Sequence, residues 1–110
     1  MLGAWAGERL VGTVQLRYAQ LPNARHRAEV AKLLVHRSAR RRGIGRSLLS
    51  EIERTALAEG RTLLVLDTLT GTDAERLYET LGWSKAGIIP EYAALPDGDR
   101  RPTAIFYRIL

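Results

Sequence analysis

The segment from Val35 to Arg46 combines arginines and glycines in a pattern that suits the binding of an anion. A predicted strand ends where the segment begins, and a predicted helix follows Gly43. Glycine lets the backbone approach a ligand closely. The free N–H groups and the dipole at a helix start favour negative charge, and arginine adds charge-assisted, often bidentate hydrogen bonds. The segment therefore predicts a cradle for a pyrophosphate, formed from Arg37, Arg40, Arg41, Arg42, Gly43, Gly45 and Arg46.

The distribution of charge also indicates an anionic ligand held at one place. The chain carries 17 Lys and Arg against 12 Asp and Glu, which gives a formal net charge of +5. Residues 25–46 hold eight of the basic residues and a single acid, Glu29, so this window carries +7 and the remainder −2. A local basic patch on a near-neutral body fits a nucleic acid, a membrane surface or a phosphorylated small molecule.

The glycine spacing alone does not select among these ligands. No Gly-Lys-Ser/Thr follows, so the segment is not a Walker loop, and the dinucleotide-binding motif would need a third glycine. From the spacing alone, a solvated basic turn before a helix explains the pattern as well as an anion site does.

Hydrophobic periodicity predicts the elements that position this segment. Helical spacing of apolar residues begins at Ile44, and Gly60 stands where a helix would stop. A capping box at Thr72–Glu75 starts a second helix, which Gly82 ends. Pro90 closes the fifth strand, and Glu91–Pro102 is predicted to be a loop. The predicted strands are Leu2–Trp5, Leu10–Tyr18, Ala28–His36, Leu63–Asp67, Ser84–Ile89 and Thr103–Leu110.

These elements predict an α/β fold with a mixed sheet, in the order β-β-β-α-β-α-β-β, and one domain over residues 1–110. The apolar run Leu63–Leu66 is typical of a central strand buried on both faces. No apolar run approaches the roughly 18 residues of a membrane span, and no basic, signal-like segment follows Met1. We therefore expect a cytoplasmic protein with no membrane partner.

The residue types exclude several chemistries. The chain has no cysteine and two histidines, so disulfides, thiolate metal sites and cysteine nucleophiles are excluded, and we expect no bound metal. His36 ends a strand beside the arginines, where a lone histidine is more often a surface residue than a catalytic base.

Two motifs carry a resemblance to a known family. Arg40–Gly45 matches the Arg/Gln-x-x-Gly-x-Gly/Ala signature of the GCN5-related N-acetyltransferases, and Ala74–Trp83 is similar to the A-x-x-L-Y-x-x-x-G-F/W helix of the same superfamily. The resemblance runs from about Leu10 to Leu110. Residues 28–35, 66–68 and 96–107 particularly resemble the tabtoxin-resistance type of acetyltransferase.

The resemblance implies the fold of these acyl-CoA N-acyltransferases, with binding of acetyl-CoA and acetyl transfer to an amine of a small molecule or peptide by direct attack. Backbone groups at the end of the third strand would hold the pantetheine arm, amides of the basic turn would hold the pyrophosphate, and the Ser47 hydroxyl would add to them. The implied cofactor-binding residues are Leu34, Val35, His36, Arg40, Arg41, Arg42, Gly43, Ile44, Gly45, Arg46 and Ser47.

Three side chains are candidates for the proton transfers. The resemblance implies that Tyr78 is the general acid that protonates the departing thiolate, whereas a tyrosine at an apolar helix position is also a common core residue. Glu29 and Asp67 are the candidates for the base, and either carboxylate is also suited to binding a cationic acceptor. Asp67 ends an apolar strand, where open α/β sheets place ligands, although pairing with an arginine is an alternative.

The chain departs from the family pattern in two ways. Gly71 stands where many members have an asparagine that contacts the pantetheine. The strand and two helices that usually precede the hairpin are missing from this sequence. We expect either a homodimer that buries the uncovered surface through the amino-terminal hairpin or Thr103–Leu110, or a chain that is part of a longer gene product.

Two other functions stay open at this point. One is a CoA-binding remnant without transferase activity. The other is a basic nucleic-acid-binding module that uses Arg37–Arg46. The second is disfavoured because the segment has no interleaved aromatic platform and no recognition-helix motif.

Overall fold

The computed structural model describes residues 2–6, 9–36 and 43–110, so the predicted cofactor contacts of Arg40, Arg41 and Arg42 lie outside the described residues. The observed order of strands and helices confirms the predicted one. The elements are β1 Leu2–Ala6, β2 Arg9–Tyr18, β3 Arg27–Val35, α1 Ile44–Ala58, β4 Leu63–Leu69, α2 Asp73–Thr80, β5 Ser84–Ala94 and β6 Arg100–Ile109, with a short 3-10 turn at Pro22–Ala24.

The six strands form a sheet in the order β1-β2-β3-β4-β6-β5. The pairs β1–β2, β2–β3 and β5–β6 are antiparallel. In this order β1 and β5 stand at the two ends, whereas β6 has a neighbour on each side. The fold is therefore the predicted mixed α/β sheet with two helices, and it divides into two compact units, residues 1–64 with 109–110 and residues 65–108.

In the first unit, α1 packs on β1, β2 and β3. The buried residues Leu48, Leu49, Ile52 and Ala56 of α1 lie at the predicted helical spacing. The helix approaches β2 closely at Gly12, where a Cβ would lie 2.9 Å from Cγ2 of Ile44 and 3.1 Å from Cδ1 of Leu48. A side chain at position 12 would therefore push the start of α1 away from the sheet.

A β-bulge interrupts β3 close to its carboxyl end. Thr13 pairs with Leu34 and Gln15 pairs with Ala31, so β3 has one more residue than β2 in this stretch. Lys32 takes up the extra residue with a φ of 53°, in the left-handed region. Because of the bulge, Ala31 and Leu34 share a face of the sheet although they are three residues apart.

Glycine ends α1 as the sequence predicts. Gly60 has a φ of 74°. The Gly60 amide donates to the Leu57 carbonyl at 3.0 Å and the Arg61 amide to the Ala56 carbonyl at 2.9 Å. This pair of hydrogen bonds is a Schellman motif, which satisfies carbonyls that the helix end would leave without donors.

The predicted loop Glu91–Pro102 is wrong in its extent. β5 continues through Pro90 to Ala94, and β6 begins at Arg100. Strand β5 stands at the end of the sheet, where a residue without an N–H group is tolerated. The register also shifts between Ile89 and Ala93, and Glu91 has a φ of 55°, so an irregular stretch absorbs the proline.

The prediction that β4 is buried on both faces is wrong. Leu64 and Leu66 are buried, but Leu63 and Val65 are half-buried and Asp67 is exposed. The strand is central in the sheet order, yet burial alternates along it, because one of its faces is covered more completely than the other. Neither helix in the described part of the chain is long and apolar enough to span a membrane.

Replacing Gly12 with alanine should destabilise the protein by about 1–3 kcal/mol, the usual cost of overpacking a core. The added methyl group would also lie 3.3 Å from the Leu34 carbonyl oxygen, which is backbone and cannot swing away. Urea unfolding followed by circular dichroism measures the change. The matched control is Gly87→Ala, because no described atom lies within 4 Å of a Cβ at Gly87. Equal stability of the two variants would contradict the close approach of α1 to β2.

Candidate functional site

The start of α1 offers the described part of the predicted anion cradle. Gly43 precedes the helix with a φ of 76°, and the first turn contains no acidic residue. The first amide bonded back into the helix here is that of Ser47, which donates to the Gly43 carbonyl at 3.0 Å. The amides of Ile44, Gly45 and Arg46 belong to the first turn, which has no acceptors within the helix. They are therefore available to an anion.

The cradle is held in place by the packing of α1 on β2. Cγ2 of Ile44, the first helical residue, lies against Gly12, so the helix start is fixed on the sheet. No described atom lies within 4 Å of a Cβ built at Gly43. Leu34 at the end of β3 is 65% exposed, and its backbone belongs to the same unit as the cradle.

Glu29 is engaged in an ion pair. It lies opposite Arg17 on β2, and the two side chains approach to 3.8 Å, each about half exposed. Arg17 also donates to Oε1 of Gln15 at 3.2 Å. The strand register puts Arg17 and Gln15 on the face opposite Gly12, away from α1. A carboxylate that is already paired is a weaker candidate for a catalytic base.

Asp67 is exposed on β4 in the second unit and contacts a buried threonine. Oγ1 of Thr103 on β6 lies 3.4 Å from Oδ2 of Asp67 and 3.0 Å from the Thr68 carbonyl oxygen. Thr103 is 1% exposed, so its hydroxyl is a fixed part of the interior. No cation pairs with Asp67 among the described residues, and the alternative of pairing with an arginine is therefore not seen there.

Tyr78 lies on the buried face of α2, as predicted. It is 5% exposed, and its ring is 5.7 Å from that of Trp83 and 5.8 Å from that of Phe106, both tilted. Burial raises the pKa of Tyr78 to about 12, so the hydroxyl keeps its proton throughout the physiological range. The hydroxyl has no hydrogen-bond partner in the part of the chain that the structure describes. Its proton is therefore not committed to another group of those residues.

The end of α2 sets the aromatic contact. Gly82 has a φ of 86°, and its amide donates to the Glu79 carbonyl at 3.1 Å. The Trp83 amide donates to the Tyr78 carbonyl at 3.0 Å. This is a second Schellman motif, and such motifs commonly bring the residue after the glycine against the helix residue that accepts its hydrogen bond. The turn at Gly82 thus places the Trp83 indole on Tyr78.

A charged cluster fastens α2 to β5. Nζ of Lys85 lies 3.3 Å from Oε2 of Glu75 and 3.3 Å from Oε1 of Glu79. Oε1 of Glu75 accepts from the Gly71 amide at 2.9 Å, and the Glu75 amide donates to Oγ1 of Thr72 at 3.2 Å, which confirms the capping box. The Gly71 amide, followed by Lys85, lowers the pKa of Glu75 against the effect of burial, and hydrogen bonds to Glu79 and Glu75 raise the pKa of Lys85.

The two candidate catalytic groups of the second unit lie on opposite faces of β6. Tyr78 packs on Phe106, whereas Asp67 contacts Thr103, and residues 103 and 106 point to opposite sides of a regular strand. Arg108, on the same side as Phe106, donates to the Leu81 carbonyl at 2.7 Å, which agrees with α2 covering that face. The described structure therefore does not bring Tyr78 and Asp67 together on one face of this strand.

Thr103 and Lys85 are the residues near these groups that the sequence did not single out. The only signal for Thr103 is a polar side chain at a buried position of an apolar strand, which becomes informative once the register with β4 is known. In the described ranges, no three of the His, Asp and Glu side chains come close enough together to hold a metal ion.

Comparisons with known proteins agree with the observed fold. The family model described as "Acetyltransferase (GNAT) family" matches residues 1–83. A ribosomal-protein-alanine N-acetyltransferase from Brucella melitensis superimposes with a TM-score of 0.85 at 24% identity, over 98% of this chain and 67% of that one. An acetyltransferase of the GNAT family from Streptococcus pneumoniae superimposes with a TM-score of 0.90 at 22% identity, over 98% of this chain and 65% of that one.

A candidate acetyltransferase from Salmonella typhimurium, solved with its cofactor acetyl-CoA, gives a TM-score of 0.86 at 20% identity, over 98% of this chain and 62% of that one. At these identities the structural matches establish the fold. The chain spans about two thirds of the length of the solved structures that it matches. The narrower resemblance to the tabtoxin-resistance type stays a prediction.

Replacing Glu75 with glutamine should lower the thermal midpoint at neutral pH, and the difference from the wild type should disappear in acid. The pKa of Glu75 lies below its ordinary value of 4.5, so the carboxylate stabilises the fold above that pH and ceases to do so as the pH falls through the lowered pKa. Thermal unfolding between pH 3 and pH 7 measures this. Glu59→Gln, at the exposed end of α1, is the control. A difference independent of pH would contradict the role of the Glu75 charge.

Proposed function

Because the chain belongs to the GNAT family of acetyltransferases, we propose that it transfers an acetyl group from acetyl-CoA to an amine of a small molecule or peptide. The observation that carries the proposal is the glycine-led start of α1, where first-turn amides without acidic neighbours follow the end of β3 in the same unit. Such a helix start is suited to a pyrophosphate.

The residues at this helix start fit the cofactor. Gly43, Ile44, Gly45 and Arg46 would hold the pyrophosphate through backbone amides, and the exposed Ser47 would add its hydroxyl. The backbone of residues 34–36 would hold the pantetheine arm as an added strand would be held. The contacts proposed for Arg40, Arg41 and Arg42 concern residues outside the described ranges.

Acetyl-CoA supplies an activated acyl carbonyl and a thiolate leaving group. The chain must then keep the amine of the acceptor neutral and provide a proton for the departing sulfur. Tyr78 is the proposed acid, since the family resemblance implies this role for it and no described residue takes up its hydroxyl. The ring contacts with Trp83 and Phe106 hold that hydroxyl in one orientation.

Of the two carboxylates, Asp67 is the better candidate to meet the amine. Glu29 is paired with Arg17, and removing it from that pair would leave the arginine without its partner. Asp67 is exposed and has no ion pair with a described residue. Either could still take the amine's proton through a water molecule, so the assignment of the base is a proposal.

Two alternative functions differ from acetyl transfer in measurable ways. A CoA-binding remnant would bind the cofactor without turnover, and a nucleic-acid-binding module would bind polyanions with a steep dependence on salt. No contact in the described residues favours either one. A homodimer and a cytoplasmic location stay predictions. A dimer contact through backbone pairing of β6 is disfavoured, since this strand has a neighbour on each side and the sheet ends at β1 and β5.

We expect acetyl-CoA and CoA to raise the thermal midpoint. A ligand at 100 times its dissociation constant adds about 2.7 kcal/mol of stability. Ser47→Glu should abolish this response, because a carboxylate in the first turns would repel the pyrophosphate, although it suits the helix dipole of the free protein. Ser50→Glu, one turn further along the same helix, is the matched control and should keep the response. Absence of any shift at saturating acetyl-CoA in the wild type would contradict the proposal.

Tyr78→Phe should lower kcat by about 10²–10⁴-fold, the usual cost of losing a general acid, with little change in the affinity for CoA. The phenylalanine ring keeps the packing against Trp83 and Phe106, so the thermal midpoint should not fall. Tyr107→Phe, at a partly exposed tyrosine of β6, is the control and should leave kcat unchanged. An unchanged rate for the Tyr78 variant, with chemistry shown to be limiting, would return Tyr78 to a purely structural role.

A further inference from the structure

We propose that Lys32 is a site of self-acetylation, at which the amine of this side chain takes the acetyl group of acetyl-CoA bound to the same molecule. The inference rests on the proposed acetyl transfer and names the chain itself as an acceptor. Three observations carry it, namely the β-bulge at Lys32, the place of that bulge on β3, and the different surroundings of the two lysines of the chain.

The β-bulge in β3 exposes Lys32. Strand β3 has one residue more than β2 between Ala31 and Leu34, and Lys32 takes up the extra residue with its left-handed φ of 53°. Lys32 is exposed, whereas Ala31 and Leu33 on either side of it are half-buried. Bulges redirect side chains, and they are over-represented next to active sites. The strand therefore presents this amine at its surface and does not pack it.

Lys32 lies on the strand that is proposed to hold the pantetheine arm. The pyrophosphate is proposed to bind at the start of α1, and residues 34–36 to hold the arm as an added strand. An added strand runs along its neighbour, so the acyl end of the arm points away from the cradle and back along β3. Lys32 is two residues before Leu34, about 7 Å along the strand, and it is the only polar side chain between Glu29 and His36. We therefore expect the thioester beside Lys32.

The two lysines of the chain differ in what surrounds them. Nζ of Lys85 lies 3.3 Å from a carboxylate oxygen of Glu75 and 3.3 Å from one of Glu79, and hydrogen bonds to Glu79 and Glu75 raise the pKa of Lys85. The side chain of Lys32 has no ion pair or hydrogen bond with a described residue. Glu29, the nearest acid on β3, is already engaged in an ion pair. Among the described residues, nothing therefore holds the proton of Lys32 as the carboxylates hold that of Lys85.

The reaction is the aminolysis of a thioester. Nζ of Lys32, in its neutral form, forms a bond to the acetyl carbon, and the bond from this carbon to the sulfur breaks. The amine loses one proton and the departing thiolate takes one up, so the products are Nζ-acetyl-lysine and the free thiol of CoA. An amine held beside the carbonyl needs no bimolecular encounter, which favours Lys32 over an amine elsewhere on the protein.

The test is incubation of the protein with acetyl-CoA, in which peptide mass spectrometry follows the acetylation of each lysine. Lys32 should gain the acetyl group at least about tenfold faster than Lys85, because of its position beside the thioester. The rate per molecule should not change when the protein is diluted, since donor and acceptor belong to one complex. Lys32→Arg keeps the positive charge without an amine that is acetylated. This variant should lose the fast reaction and keep the thermal response to CoA.

A second measurement needs no acetyl transfer by the protein. Sulfo-N-hydroxysuccinimide acetate acetylates accessible amines, and in the free protein it should label Lys32 faster than Lys85. Saturating CoA, which carries no acetyl group, should remove most of the labelling of Lys32, because the arm would then cover this amine. The labelling of Lys85 should not change and is the internal control.

Equal acetylation of the two lysines by acetyl-CoA, a rate proportional to the protein concentration, or labelling of Lys32 that CoA leaves unchanged would each overturn the inference. The thermal response to CoA, measured on the same samples, tests the proposed function separately. A protein that responds to CoA but fails the lysine measurements loses only the inference, whereas one that does not respond to CoA loses the proposed function as well.

Discussion

The left-handed backbone at Gly82 is the constraint on which the second unit depends. It reverses the chain at the end of α2, returns the Trp83 amide to the Tyr78 carbonyl and brings the indole onto the tyrosine ring. A residue with a side chain would pay about 1–2 kcal/mol in strain at this φ. Glycine at position 82 avoids that cost and so allows the turn that packs Trp83 on Tyr78. The ion pairs of Lys85 with Glu75 and Glu79 also hold α2 on β5.

In the first unit, a glycine sets the position of a helix. Its ligand-facing feature is a helix start rather than a side chain, so what matters is where the axis of α1 lies. The missing side chain at Gly12 sets that position, because it lets Ile44 rest on β2. Small residues thus control both proposed functional elements, one by conformation and the other by close approach.

Local signals explain what could be predicted from the sequence. Gly60, Gly82 and the capping box at Thr72 act within a few residues, and the structure confirms each of them. Features that depend on a partner strand were not predictable. Continuation of β5 through Pro90 requires knowing that the strand stands at the end of the sheet, and the contact of Thr103 with Asp67 requires the pairing of β4 with β6. The roles given to Tyr78, Glu29 and Asp67 stay predictions, because position alone does not establish chemistry.

The two tryptophans give each unit its own optical label. Trp5, on β1 in the first unit, is 64% exposed, whereas Trp83 in the second is 5% exposed and contacts the Tyr78 ring. An exposed indole emits at longer wavelength and is open to collisional quenchers, and a buried one is shielded from them. Fluorescence of the unlabelled chain therefore separates into two signals. The shielded one comes from the indole in contact with Tyr78, so it reports on the surroundings of that tyrosine without any substitution.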